Sequence, residues 1–382
     1  FREYLFDDPG LVLPCRDADA IAMWVADMAF AVAPVVQEAM HHRLRHPIFG
    51  YTVSLDTAFE TAFQGWCRRR YDWVPELEHH VPAPGIVPAL YDLVDLVVEP
   101  GQKVVVNTPA YEPFESAVTH RGGELVTSPL VRRADGTVSA DLDHLASTVA
   151  DPAVAMFILC HPHNPTGHAW SEGELVAMGE LCLDNDVLIV SDEIHCDLLR
   201  CGRRHTPLAK LFPDSDRIVT CMSSSKTFNL AGLGLANVVI PNAEIRTAWE
   251  DRHFPIVNPV SAAAATAAFA DGDEWLEQLR SYLDGSFALV DSMLTDRLPG
   301  AVFRIPDATY LAWIDLDAYV PQELNLTSYF AGHSGVLVEG GEKFVADGGN
   351  CIRVNLACPR AQVEEALDRI IRATLELAGG SG

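Results

Sequence analysis

The sequence predicts an α/β protein, with a large unit built on a mostly parallel mixed sheet covered by helices and a smaller α+β unit after it. Three observations carry that prediction. The chain has 382 residues, enough for two or three domains at roughly 100 to 200 residues each. Its composition, 49% hydrophobic beside 21% charged, suits a large packed core. Between residues 103 and 240, short apolar β-rich runs alternate with helix-like ones, as expected for strands joined by crossover helices.

After an irregular N-terminal arm, Ala33 to Arg45 and Leu55 to Tyr71 have helical periodicity, the second with Ala58, Ala62 and Trp66 four residues apart. Strands are expected at Lys103 to Asn107, Ala155 to Cys160, Val187 to Ser191, Ile218 to Met222 and Ala236 to Ile240. Helix-like stretches at Tyr91 to Val98, Glu172 to Asp184 and Ala243 to Asp251 separate them. The small-residue run Val260 to Ala270 predicts a helix leading into a long one around Leu279 to Leu298. Strands at Thr309 to Ile314, Val336 to Glu339 and Asn350 to Leu356, with a closing helix at Gln362 to Leu377, form the smaller unit. The expected division is 1–45 as an arm contributing to the small unit, 46–288 as the large domain and 289–382 as the small one.

Lys and Arg total 27 against 53 Asp and Glu, a formal net charge of −26 that repels phosphate backbones and anionic lipid surfaces. Nucleic acid and membrane are therefore poor partners. No run approaches the roughly 18 apolar residues of a membrane-spanning helix, and FREYLFDDPG at the start lacks a basic segment followed by an apolar one. Nine scattered cysteines, with no C-x-x-C, suit reduced thiols and a cytoplasmic setting.

In open α/β sheets ligands sit beyond the carboxyl ends of strands. Three such ends carry polar residues that packing does not explain: CHPHNPTG at 160–167, SDEIHCD at 191–197 and MSSSKTFNLAGL at 222–233. Singly, each has an ordinary account. Asn164-Pro165 is a turn signal, Asp192 a helix cap, and Lys226 a solvated lysine. His161, His163 and His195 suggest a metal cluster, but no carboxylate or cysteine spacing completes one, so no metal site is expected.

Taken in order, Asn-Pro-x-Gly, Asp-x-x-His and Ser-x-Ser-Lys resemble the fold-type I pyridoxal-phosphate enzymes of the class I/II aminotransferase superfamily. MWVADM at 23–28, FGYT at 49–52, SDEIH at 191–195, SKTFNLAGL at 225–233 and RVNLACPR at 353–360 are similar to its cystathionine β-lyase or cysteine C-S lyase branch. The resemblance spans nearly the whole chain and implies the fold-type I transferase fold with pyridoxal 5'-phosphate as cofactor. By it, Lys226 condenses with the cofactor aldehyde and, once released, removes the substrate Cα proton. Asp192, 34 residues earlier, keeps the pyridinium nitrogen protonated. His195 and Asn164 bond the phenolic oxygen from two sides, and Tyr111 stacks on the ring, where a core histidine and a core aromatic are the ordinary alternatives.

The amides at Gly85, Ile86 and Val87 and the hydroxyls of Ser223 and Ser225 suit the phosphate. Many relatives have an arginine where this chain has Gly234, which implies that Tyr51 from a second subunit completes the phosphate site in a homodimer. Arg353, otherwise an ordinary surface arginine, is expected to grip the substrate α-carboxylate, with Val25 and Ala26 lining that end of the pocket. Ala29, His168 and Ala308 depart from the family pattern and put the usual substrate in doubt.

The expected reaction is α,β-elimination of a cysteine S-conjugate such as cystathionine to a thiol, pyruvate and ammonia. Three alternatives stay open: transamination, which shares the same proton removal; a decarboxylating or deaminating reaction on a sulfur-bearing intermediate; and a regulatory binding module without turnover. Pyridoxamine phosphate accumulation would mark the first. Bound cofactor without any product would mark the last.

Overall fold

The computed structural model describes residues 19–52, 58–321, 324–346 and 348–379. The opening decapeptide, Cys15, the predicted start of the second helix at Leu55 and the last three residues lie outside them.

The first described helices are α1 (Pro34–Arg45) and α2 (Ala58–Tyr71). The large sheet has seven strands: β1 (His80–Ala83), β2 (Lys103–Thr108), β3 (Glu124–Pro129), β4 (Val154–Cys160), β5 (Leu188–Asp192), β6 (Ile218–Met222) and β7 (Ala236–Val239). Their spatial order is β1-β7-β6-β5-β4-β2-β3. Neighbours from β6 through β3 run parallel, whereas β7 is antiparallel to both β6 and β1. β5 and β6 are buried along their whole length, which their continuous apolar runs require of strands covered on both faces. Each fully buried Val, Leu or Ile contributes roughly 1.5 to 3 kcal/mol of apolar transfer.

Crossover helices begin where the sequence supplies caps. α3 (Ile86–Val97) follows Gly85, and α4 (Glu172–Asp184) opens on a capping box in which Ser171 and Glu174 bond each other's backbone N–H. α5 (Pro259–Asp271), rich in alanine, lies close along α1 and α2. The long helix α6 (Asp273–Arg297) packs Leu276, Leu279 and Leu283 into the large core and Phe287, Val290 and Leu294 into a second core. That switch within one helix supports dividing the chain at residues 288/289, as we propose.

The second core lies under a four-stranded antiparallel sheet made by β8 (Val302–Phe303), β9 (Leu311–Asp315), β10 (Glu339–Gly340) and β11 (Cys351–Asn355) in the order β8-β9-β11-β10, closed by α7 (Arg360–Gly379). The arm divides between the two cores. Ile21 and Ala22 pair with Val336 and Leu337 of the small unit, but Ala33 and Val36 of α1 pack into the large core. The single strand expected at Val336 to Glu339 is two strands, its first half paired with the arm and its second with β11. Among the described residues, no helix is long and apolar enough to cross a membrane.

Candidate active site

Beyond the carboxyl ends of β4, β5 and β6 lies a cavity of about 400 Å³, between the large sheet and the small unit. Val25, Ala26, Ile86, Val87, Tyr111, Asn164, Asp192, His195, Ser223, Ser225, Lys226 and Arg353 all line it. Tyr51 does not. It is 88% exposed on the segment after α1.

Lys226 sits on the short helix Ser224–Thr227 that follows β6, and its Nζ donates to the Ala26 carbonyl at 2.5 Å. Burial lowers its pKa, and Arg353 lowers it further, against the opposing pull of Asp27, Asp192 and Glu339. The helix is pinned from below. Thr227 donates to the buried Asp197 at 2.8 Å, and Trp66 Nε1 and the Tyr71 hydroxyl donate to the same carboxylate at 3.1 and 2.5 Å.

Asp192 ends β5, and its Oδ1 accepts the Ile194 N–H at 3.1 Å. Burial pushes its carboxyl up to about 7. His195, three residues on, is held well below the usual histidine range, at about 3, by burial first and then by the charges of Lys226 and Arg353. It is therefore a neutral imidazole at physiological pH, and its buried Nδ1 has no hydrogen-bond partner. Next to Asp192, Glu193 faces His205 at 2.5 Å; burial raises the carboxyl and lowers the imidazole.

Arg353 is buried on β11, directly across the pairing from Glu339. Its Nη1 donates to Asn164 Oδ1 at 2.9 Å and its Nη2 to the Trp24 carbonyl at 3.1 Å, while Nη2 also pairs with the Glu339 carboxylate. The Arg353 Nε is buried without a partner. Asn164 thus spends its amide oxygen on Arg353 and keeps its NH2 for a ligand.

At the other end of the cavity, α3 points its first turn at the space, with no side chain capping its N–H groups and no acidic residue in that turn. The two serines expected beside it divide the work. Ser223 caps the short helix by accepting the Ser225 N–H at 3.1 Å and spends its own proton on the Leu235 carbonyl at 2.8 Å, which leaves Ser225 as the hydroxyl donor facing the cavity. Gly234 closes the same wall at φ 55°, in the left-handed region, and a Cβ there would come 3.1 Å from the Pro84 carbonyl. An arginine at this position would be strained in both respects.

Sequence reasoning missed Glu339, and it missed how the arm is held over the cavity. Asn355 Nδ2 donates to the carbonyls of Val25 and Asp27 at 2.7 and 2.6 Å, Tyr310 to that of Ala26 at 2.8 Å, and Asn229 to those of Met28 and Phe30 at 2.9 and 3.0 Å. Asn229 and Asn355 lie inside the runs SKTFN and RVN, so the signal was an amide side chain adjoining a candidate residue. The three family departures do not line the cavity. His168 faces Glu174 and Asp307 behind the loop at 3.4 and 3.6 Å, Ala308 is buried against Gly167, and Ala29 borders an outer cleft. His161 lies tilted against the His205 ring and His163 bonds Thr166; among the described residues no group of three His, Cys, Asp or Glu side chains is placed to hold a metal ion.

Known proteins share this fold. The family model for aminotransferase class I and II matches residues 23–370. The cystathionine beta-lyase PatB of Bacillus subtilis is 38% identical over 357 residues, covering 92% of each chain, and protein MalY of Escherichia coli is 30% identical over 93% of this chain and 92% of its own. The crystal structure of a PLP-bound C-S lyase from Staphylococcus hominis superposes with a TM-score of 0.92 at 39% identity, over 94% of this chain and 92% of that one. The chain belongs to the class I and II aminotransferase family.

Proposed function

We propose that this protein is a pyridoxal 5'-phosphate-dependent carbon–sulfur β-lyase that cleaves cysteine S-conjugates by α,β-elimination to a thiol, pyruvate and ammonia. The observation that carries the reading is one cavity holding an amine of lowered pKa on Lys226, a buried carboxylate on Asp192 and a single further cation, Arg353. The relatives named as cystathionine beta-lyase and C-S lyase support it.

The residues present fit the cofactor. A buried carboxyl raised to about 7 is matched to a ring N–H that brings positive charge, an uncapped helix start with a serine hydroxyl is matched to a phosphate, and the unpartnered His195 Nδ1 leaves a polar atom for the ring substituents. When bound, the cofactor supplies an electron sink for the pair left on Cα. Tyr111 would wall one side of the ring, and His195 and the Asn164 NH2 would serve its phenolic oxygen. Lys226 would hold the cofactor through its aldehyde and, when its amine is free, would take the substrate Cα proton at Nζ. Arg353 orients the substrate through its carboxylate, with the arm carbonyls of Val25 and Ala26 closing that end. As the proton leaves, the Cβ–S bond breaks, its electron pair departs with sulfur and a Cα–Cβ double bond forms.

Elimination is favoured over dicarboxylate transamination because Lys226 and Arg353 are the only cationic side chains among the described lining residues, so no second arginine awaits a distal carboxylate. With an S-substituted cysteine, pyruvate and free thiol should appear in equal amounts over many turnovers without added keto acid. Turnover that stops after one equivalent, with pyridoxamine phosphate accumulating until a keto acid is supplied, would establish an aminotransferase instead.

A homodimer with shared sites is part of the same reading. Ile48, Phe49, Tyr51, Phe254 and Ile256 are exposed beside an apolar groove between α1 and α5, and with Gly234 at the phosphate end no described residue beyond Lys226 and Arg353 brings a cationic side chain to the cavity. Tyr51 of a second copy supplies the missing donor. Mixed dimers of Tyr51→Ala and Lys226→Ala subunits should regain part of the activity that each lacks alone, since one hybrid site carries both native residues. No recovery in verified mixed dimers would mean that each site is built from a single chain. A cytoplasmic setting belongs to the proposal too, because the cysteines among the described residues are all free thiols.

A further inference from the structure

Glu339 stands in the cavity without a task in the reaction above. The antiparallel register of β10 and β11 puts it directly opposite Arg353, so both side chains leave the same face of the sheet. Its carboxylate pairs with Arg353 Nη2, and the side chain stays 24% exposed at the cavity wall.

Arg353 does not need that partner to be aimed. Asn164 and the Trp24 carbonyl already hold its two terminal nitrogens, and the guanidinium lies 5.2 Å from the centre of the Phe344 ring. What Glu339 does is occupy the edge that a substrate α-carboxylate would take. Two carboxylates cannot share one guanidinium edge without repelling each other, so substrate binding moves Glu339 off Arg353 and into the space beside the substrate side chain. The charged groups that act on Glu339 are Arg353, Lys343 and Lys226. With Arg353 committed to substrate and Lys226 to the chemistry, only Lys343, which does not line the cavity, still acts on the displaced carboxylate, so within the cavity it would stand without a cationic partner beside an alkyl substituent, which is costly.

Resting on the lyase reading, we propose that Glu339 selects the substrate class: cysteine S-conjugates whose sulfur substituent carries a cationic nitrogen. The nitrogen replaces Arg353 as the partner of Glu339, so a single displacement satisfies both ends of the substrate. A neutral alkyl conjugate leaves Glu339 unpaired, and an anionic one is repelled.

The test uses the full-length, cofactor-loaded enzyme and three conjugates of similar size: S-(2-aminoethyl)-, S-propyl- and S-carboxymethyl-L-cysteine. Pyruvate release yields kcat/KM, and the change in the cofactor absorption band on titration yields affinity independently of turnover. The native protein should prefer the aminoethyl conjugate over the propyl by about tenfold to a hundredfold, with the carboxymethyl last. Glu339→Gln, which keeps the shape, should bring the first two to within about threefold of each other by weakening the aminoethyl conjugate alone, and Glu339→Lys should put the carboxymethyl conjugate ahead. Cofactor content and circular dichroism verify that the variants are folded. A native ratio near one, or an equal loss on all three conjugates in Glu339→Gln, would overturn the proposal, the second result showing that Glu339 acts through Arg353. Glu339-dependent selectivity in the titration without pyruvate from any conjugate would uphold the assignment and remove the lyase reading. Pyruvate from all three without such selectivity would do the reverse, and no response to any would overturn both.

Discussion

Replacing Lys226 by alanine should lower kcat/KM for an S-substituted cysteine by about four orders of magnitude, the upper range for removing a positioned acid–base group. The effect is large because, on the proposed reading, one amine would perform two tasks, holding the cofactor and taking the Cα proton. The chain has four lysines. Lys103 pairs with Asp151 at 2.9 Å at the start of β2, the opposite end of the strand from the cavity, and Lys210 donates to the Tyr71 carbonyl at 2.9 Å, so neither reaches the cavity. Lys343 acts on Glu339 but does not line the cavity. Borohydride reduction of the native protein followed by peptide mapping should therefore place the cofactor label on Lys226. A label on any of the other three would remove the assignment. Small primary amines should partly restore activity to Lys226→Ala by serving as the base, whereas they would not help a variant that had merely lost its fold.

Asp192→Asn should have the next largest effect, a loss of about a hundredfold or more in kcat, because a neutral amide does not hold a proton on the ring nitrogen. The same substitution should stabilise the protein once the cofactor is removed, and the sign follows from burial. The carboxyl titrates at its ordinary value of 3.8 when the chain is unfolded but at about 7 in the folded, cofactor-free protein. Between these values the folded state binds the extra proton, so wild-type stability falls as pH rises from about 4 to about 7. The loss amounts to at most about 4 kcal/mol at the upper end. Asparagine has nothing to titrate, and Glu193, raised to about 7 by the same burial, is present in both proteins and largely cancels. Thermal unfolding of the two cofactor-free proteins should give similar midpoints near pH 4 and a higher midpoint for Asp192→Asn near pH 8. A difference that does not change with pH would show that Asp192 meets a cation supplied by the protein itself. With cofactor bound the ring N–H supplies the cation, so the pH-dependent deficit of the wild type should disappear.

The legible parts of this site are those in which chemistry follows a strand within a few residues. Asn164, Asp192 and Lys226 each lie just beyond an apolar run, and buried parallel strands are continuous apolar runs, so the ends of β4, β5 and β6 could be located from patterning and the motifs placed on them. Glu172 to Asp184 was legible in full because its capping box marks the start. β1 and β3 were not found. β1 contains a proline and takes its place by pairing with β7, distant in sequence, whereas β3 mixes polar with apolar residues and takes its place at the edge of the sheet beside β2.

By itself the sequence determined the α/β class, the alternation of five of the large sheet's strands with helices, the three strand-end motifs and, through them, the family. Each of these is written in local periodicity, in caps, or in short runs whose spacing survives without a partner. Tertiary structure alone decided that β7 reverses direction, that Val336 to Glu339 divides between two sheets, that Ser223 spends its proton on Leu235, and that the arm is held over the cavity by Asn229, Tyr310 and Asn355. It alone set Glu339 against Arg353 and left Tyr51 facing outward. The physical reason is common to all of them: a strand's propensity is local, but its register, its direction and the partner of each buried polar group are settled by hydrogen bonds and ion pairs between residues that are not neighbours in sequence, from 12 positions apart for Ser223 and Leu235 to 330 for Asn355 and Val25, and those reward the chain only once the cores have brought them together.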